Sequence, residues 1–159
     1  MIAAQALINE DENYDFRAWL KSVNGIELDN RVHRINKEVA ADIDCTQCGN
    51  CCKTLVINVT APEVDNLGKA LEMNSVAVKE KYIEESLEGN FFMNTMPCNF
   101  LSENKCTIYA NRFMECRDFP HLHKPGFQQR LLGTLGHYGR CPIIYNVIEE
   151  LKREMNYLG

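Results

Sequence analysis

The chain has 159 residues, of which 45% are hydrophobic and 25% charged, with a net charge of −5. That is long enough for one domain with a real core and short for two, and the balance is that of a folded rather than a disordered protein. The negative charge argues against a general nucleic-acid binder, which needs a surplus of Lys and Arg, and the absence of a long apolar run argues against a membrane span.

The first eight residues are apolar but carry no basic flank and run directly into Asn9-Glu-Asp-Glu-Asn13. This is a poor signal peptide, so a cytoplasmic chain is expected. Phe16, Trp19, Leu20 and Val23 then fall at i, i+3, i+4, i+7, the stripe of an amphipathic helix ending near Gly25. Leu28, Val32, Ile35 and Val39 continue the helical period, with Asp29 or Asn30 placed to cap. Residues 1–40 therefore read as a helical arm, and 41–159 as the domain on which it packs.

Beyond the cysteine-rich stretch at 45–52, the alternation of Leu55, Ile57 and Val59 predicts a strand. Thr60-Ala-Pro-Glu63 is a capping box with Pro62 in the first helical turn, and Val64, Leu67 and Leu71 give that helix its inward face. A further helix is predicted over 75–87, ended by Gly89-Asn90. From 91 to 140 the pattern is irregular, with short extended pieces at 91–93 and 107–109. A segment of this length needs something other than a core to order it. Pro142 opens a final helix with Ile143, Ile144, Val147, Ile148, Leu151 and Met155 on one face.

Four of the eight cysteines, Cys45, Cys48, Cys51 and Cys52, crowd into eight residues, and Cys98, Cys106, Cys116 and Cys141 are spread through the second half. In the cytosol such a set points to metal or redox chemistry rather than disulfides, and a bridge between neighbours Cys51 and Cys52 would be strained. Two residues between cysteines lets one tight turn aim both sulfurs at one ion, and thiolates are soft, anionic ligands. The x2-x2 spacing of Cys45, Cys48 and Cys51 matches the run that ferredoxins use for iron–sulfur clusters. An iron–sulfur cluster is therefore preferred to zinc, although thiolate sites suit both. Gly49 stands where a turn around a metal needs positive φ.

Eight thiolates make two four-cysteine sites, or one cluster and a second site. Adjacent Cys51 and Cys52 are able to serve neighbouring sites. His121, His123 and His137 are candidate imidazole ligands or proton relays, but eight thiols already complete the coordination count, so incidental histidines are the preferred reading. Arg112 and Arg117 flank Cys116 and are placed to balance thiolate charge, unless they are simply an exposed basic pair. Asp118 is a candidate supporting group or a surface ion-pair partner. No dinucleotide-binding glycine fingerprint and no Walker lysine is present.

Cys45-x2-Cys48-Gly49-x-Cys51-Cys52, followed by an extended apolar piece and a Thr-x-x-Glu helix start, resembles the CxxCxxCC cysteine-cluster family, described as zinc- or iron-chelating. Cys98-Asn-Phe-Leu101, Cys106-Thr-Ile-Tyr109, Arg112 and Cys116-Arg-Asp-Phe-Pro120 resemble the family's later blocks in the same order, over about residues 45–142. Members commonly carry Arg-Pro where this chain has Arg112-Phe113, a change that loosens a turn and removes no ligand. The resemblance implies metal chelation by the eight cysteines without naming a reaction. A related motif occurs in flagellin lysine N-methylases, which implies a group-transfer enzyme as an alternative, although the chain shows no S-adenosylmethionine site.

The expectation is a single, mainly helical domain with little sheet, a small α+β fold organised around cysteine-ligated metal. Metal ions are the expected partners, with nucleic acid and membrane excluded. The expected role is metal handling, electron transfer or structure, ahead of an enzyme that uses the cluster or a thiol redox sensor.

Overall fold

The computed structural model describes residues 2–157. Among them the chain is predominantly helical with strands of two or three residues, the small α+β class its pattern predicts. Helices α1 (Ile2–Ile8), α2 (Glu10–Leu20) and α3 (Gly25–Ala41) come first. Two short helices, α4 (Cys45–Cys48) and α5 (Asn50–Thr54), carry the clustered cysteines. Strand β1 (Asn58–Val59), helices α6 (Ala61–Leu71) and α7 (Ser75–Tyr82), and strands β2 (Ile83–Glu85) and β3 (Phe91–Met93) follow. Then come a hairpin of β4 (Leu101–Ser102) and β5 (Lys105–Cys106), a 3-10 turn at Tyr109–Asn111, and helices α8 (Met114–Asp118), α9 (Phe127–Leu135) and α10 (Pro142–Glu154). Packing divides these elements into two units: Cys45–Phe119, and the described residues before and after it.

In the helical unit, α3 packs against α9 and α10. Leu28, Val32 and Ile35 of α3 are fully buried, as are Val147, Ile148 and Leu151 of α10. Pro142 opens α10 and its predicted stripe from Ile143 to Leu151 is buried, while Met155 falls at the C-cap. Three local expectations are corrected. The α2 helix stops at Leu20, leaving Val23 in the following turn. The cap of α3 is Asn24, whose side chain accepts from the amides of Ile26 (3.0 Å) and Glu27 (3.1 Å). Asp29 caps a different helix: its carboxylate accepts from the amides of Gly126 (2.7 Å) and Phe127 (2.8 Å) at the start of α9. The α9 helix itself lies inside the stretch that reads as irregular. Its buried residues are Phe127, Leu131 and Thr134, so a polar side chain stands where the helical stripe would need a third apolar one.

In the cysteine unit, β3 pairs antiparallel with β1 on one side and β2 on the other. A core of Ile57, Val59, Val64, Leu67, Val78 and Phe113 lies beneath. The capping box forms as predicted, with Glu63 accepting from the Thr60 amide at 2.8 Å. The helix expected over 75–87 ends at Tyr82, because Ile83–Glu85 pair with β3 across a turn in which Gly89 holds φ +80°. Ladder bonds outweigh the continuation of a weakly patterned helix. Of the strand expected from Leu55 to Val59, only Asn58–Val59 forms a ladder, although the Ile57 carbonyl still accepts from the Met93 amide at 2.9 Å. Phe91–Met93 is extended as expected. The extended piece expected at 107–109 is displaced toward the N-terminus, into β5. Glu103 and Asn104 at the hairpin tip both take positive φ, 48° and 65°, the mirror-image turn that matches strand twist.

Candidate metal centre

The clustered cysteines sit on two short helices that meet at Gly49, whose φ is +63°. This left-handed geometry is the one the sequence predicts there, and packing adds a second demand. A Cβ on Gly49 would lie 3.0 Å from both Cα and the carbonyl oxygen of Asn104, at the tip of the β4–β5 hairpin. Glycine therefore supplies both the turn and the close approach of that hairpin to the cysteine segment.

The later cysteines are brought in by separate devices. The Cys98 amide donates to the Cys52 carbonyl at 2.8 Å. Cys106 pairs with Leu101 in the hairpin. Cys116 rides on α8, whose first amide, that of Met114, donates to Glu63 at 2.7 Å. Glu115 of the same helix accepts from the backbone and side-chain amides of Asn58. Glu63 and Glu115 thus hold the Cys116 helix in place, a role that residue type and spacing did not reveal.

Cys45, Cys51, Cys52, Cys98, Cys106 and Cys116 line one cavity of about 220 Å³. Its remaining wall is largely apolar, including Leu55, Ile57, Phe100, Ile108 and Phe113. Cys48 lies half-buried on α4 and is not in that lining. Cys141 belongs to the helical unit, where it is the N-cap residue of α10 and 9% exposed. His121, His123 and His137 also belong to that unit.

The cavity sulfurs act on one another. Burial pushes the Cys116 thiol up to about 12, and the charges of Cys98, Cys51 and Cys106 add to the rise. Burial also raises Cys98, with Cys106 and Cys51 adding to it against an opposing amide bond from Phe100. Cys51 and Cys52 share a hydrogen bond and titrate as a pair. That bond favours a thiolate at Cys51, below the ordinary thiol range, and a retained proton at Cys52, above it. Arg112 lines the cavity and its charge further favours the Cys51 thiolate. Arg117 is tied to the carbonyls of Arg112 (2.9 Å) and Ala110 (2.7 Å), so it fastens the 3-10 turn.

Neighbouring sulfurs thus oppose ionisation at Cys52, Cys98 and Cys116, and a cation among thiolates relieves that kind of repulsion. In kind, the donor set fits zinc or iron. Among the described residues, no group of three His, Cys, Asp or Glu side chains is drawn together as an ion would require.

Phe113 stands where proline is common in the resembled family. Its φ of −58° is the value proline would impose, and its ring is buried in the unit's core. The turn is thus kept by packing instead of by a ring constraint.

No curated protein and no solved structure matches the chain significantly. The sequence profile of the CxxCxxCC family, "Putative zinc- or iron-chelating domain", matches residues 44–134. That span contains seven of the cysteines and stops short of Cys141. It covers more than half of the chain, and on that match the protein belongs to the CxxCxxCC family.

Proposed function

We propose that the Cys45–Phe119 unit binds iron or zinc through cysteine thiolates and that metal loading draws its sulfurs into a finished site. The observation that carries this reading is the shared cavity. Cys51 and Cys52 of α5 meet Cys98, Cys106 and Cys116, which come from three other segments, and the charges of this set act on Cys52, Cys98 and Cys116. Cys45 lines the same cavity and Cys48 lies one turn away, so both are able to complete the coordination. The family description supports chelation of zinc or iron.

Between these metals we favour an iron–sulfur cluster, on the ferredoxin-like spacing, the all-cysteine donor set and the apolar wall. A cluster supplies one-electron transfer, whereas zinc supplies a redox-inert cross-link. The role is metal handling, electron transfer or structure in the cytoplasm. Among the described residues, no helix is long and apolar enough to cross a membrane.

Purification without oxygen, followed by an absorption spectrum, metal analysis and acid-labile sulfide determination, tests the reading. Iron with sulfide and visible charge-transfer bands supports the cluster. A colourless protein with stoichiometric zinc and no sulfide keeps chelation and replaces the cluster by zinc. A protein free of both metals overturns the proposal.

A further inference from the structure

The Cys45–Phe119 unit has a second cavity, open and about 500 Å³ in volume, that uses none of the cysteines. Glu63, Asn66 and Lys69 of α6 form one side, and Asn111, Arg112 and Arg117 the other. Arg112, Phe113 and Arg117 also wall the thiol cavity, so the two spaces are neighbours.

The charge of this cavity is opposite to that of the chain. Three cations face one carboxylate, in a protein whose net charge is −5. That carboxylate is already engaged, since Glu63 accepts from the amides of Thr60 and Met114. The guanidiniums are preorganised: Arg117 is held by two backbone carbonyls, and Arg112 stacks 3.8 Å from the Tyr109 ring centroid. Ordering them on a ligand therefore costs little further entropy. Lys69 adds a point charge, and Asn66 and Asn111 add amide donors, which suit oxygen acceptors. The volume is that of a small-molecule site, larger than a bare ion needs.

We propose that this cavity binds a small molecule through a phosphate or carboxylate group, placing an oxyanion beside the thiol site. The proposal stands whichever metal the thiols hold.

The test is a titration of the isotopically labelled protein, at constant metal content, with inorganic phosphate and separately with succinate, followed by amide chemical shifts. Saturable shifts at residues 66–70 and 111–117 are expected with at least one of them. Phosphate alone, succinate alone, or both identify the group. Lys69→Gln should weaken binding about tenfold, the usual loss for one charge-assisted contact. Lys79→Gln, which removes the same charge from α7, should leave it unchanged. Absence of saturable shifts with both anions, or equal affinity in Lys69→Gln and the parent, overturns the proposal. So does equal weakening by Lys79→Gln, which would mean only general charge attraction.

Discussion

The Glu63 carboxylate accepts a hydrogen bond from the Met114 amide, at 2.7 Å, across 51 residues of chain. Its other oxygen closes the capping box on Thr60 at 2.8 Å. One side chain thus caps α6 and orients the start of the helix that carries Cys116. Glu63→Ala should cost about 1–2 kcal/mol, because it orphans two backbone donors. Glu63→Gln should cost less, since its amide oxygen is still able to accept one of them. Burial opposes the charged form of Glu63, but the bonds from Met114 and Thr60 and the nearby Arg117 outweigh it, so its carboxyl lies below the ordinary value. A depressed folded-state value stabilises the protein above the unfolded carboxyl's range. That stability is lost as pH falls through the folded value. Urea midpoints of parent and Glu63→Ala, measured near pH 7 and again near pH 3, should therefore converge at the acid end. A constant gap would contradict the assignment.

Gly49 offers a second test. Alanine there must hold φ +63° with its Cβ 3.0 Å from Asn104. The strain should cost about 1–3 kcal/mol and push the hairpin away from the cysteine segment. Gly49→Ala should therefore bind metal more weakly, by spectroscopic titration, than Gly133→Ala, where a Cβ meets nothing within 4 Å. Equal binding by the two variants would show that the Gly49 approach does not support the site.

Much of this architecture was legible because it rests on local chemistry. Thr60 and Glu63 are three residues apart, the α10 stripe follows one helical period, and Gly49 sits inside a tight cysteine spacing. What was hidden depends on partners distant in the chain. Asp29 has the chemistry of a cap but serves amides at 126 and 127, which no local window connects to it. Ile83 ends a helix because β3 offers it a ladder partner. The thiol set shows the same division. The spacing singled out Cys45 to Cys52, whereas the shared cavity of Cys51, Cys98, Cys106 and Cys116 emerges only from the fold.

Metal binding should release protons. The Cys98 and Cys116 thiols are raised, first by burial and then by neighbouring sulfurs, so both are protonated at neutral pH in the metal-free protein. Ligation requires thiolates. Addition of zinc to weakly buffered, reduced apoprotein should acidify the solution, and the apparent affinity should rise with pH. Tight binding without proton release would mean that these thiols are not ligands.

The most direct test of the central claim is the metal content of Cys98→Ser and Cys116→Ser beside that of the parent and Cys141→Ser, all purified without oxygen. Cys98 and Cys116 line the shared cavity, whereas Cys141 is outside that lining, at the N-cap position of α10 in the helical unit and beyond the residues that match the family. The expected result is stoichiometric metal in the parent and Cys141→Ser, with loss of metal and a lowered Tm in the two cavity variants. Full metal content and unchanged Tm in Cys98→Ser and Cys116→Ser would contradict the thiol cavity as the metal site.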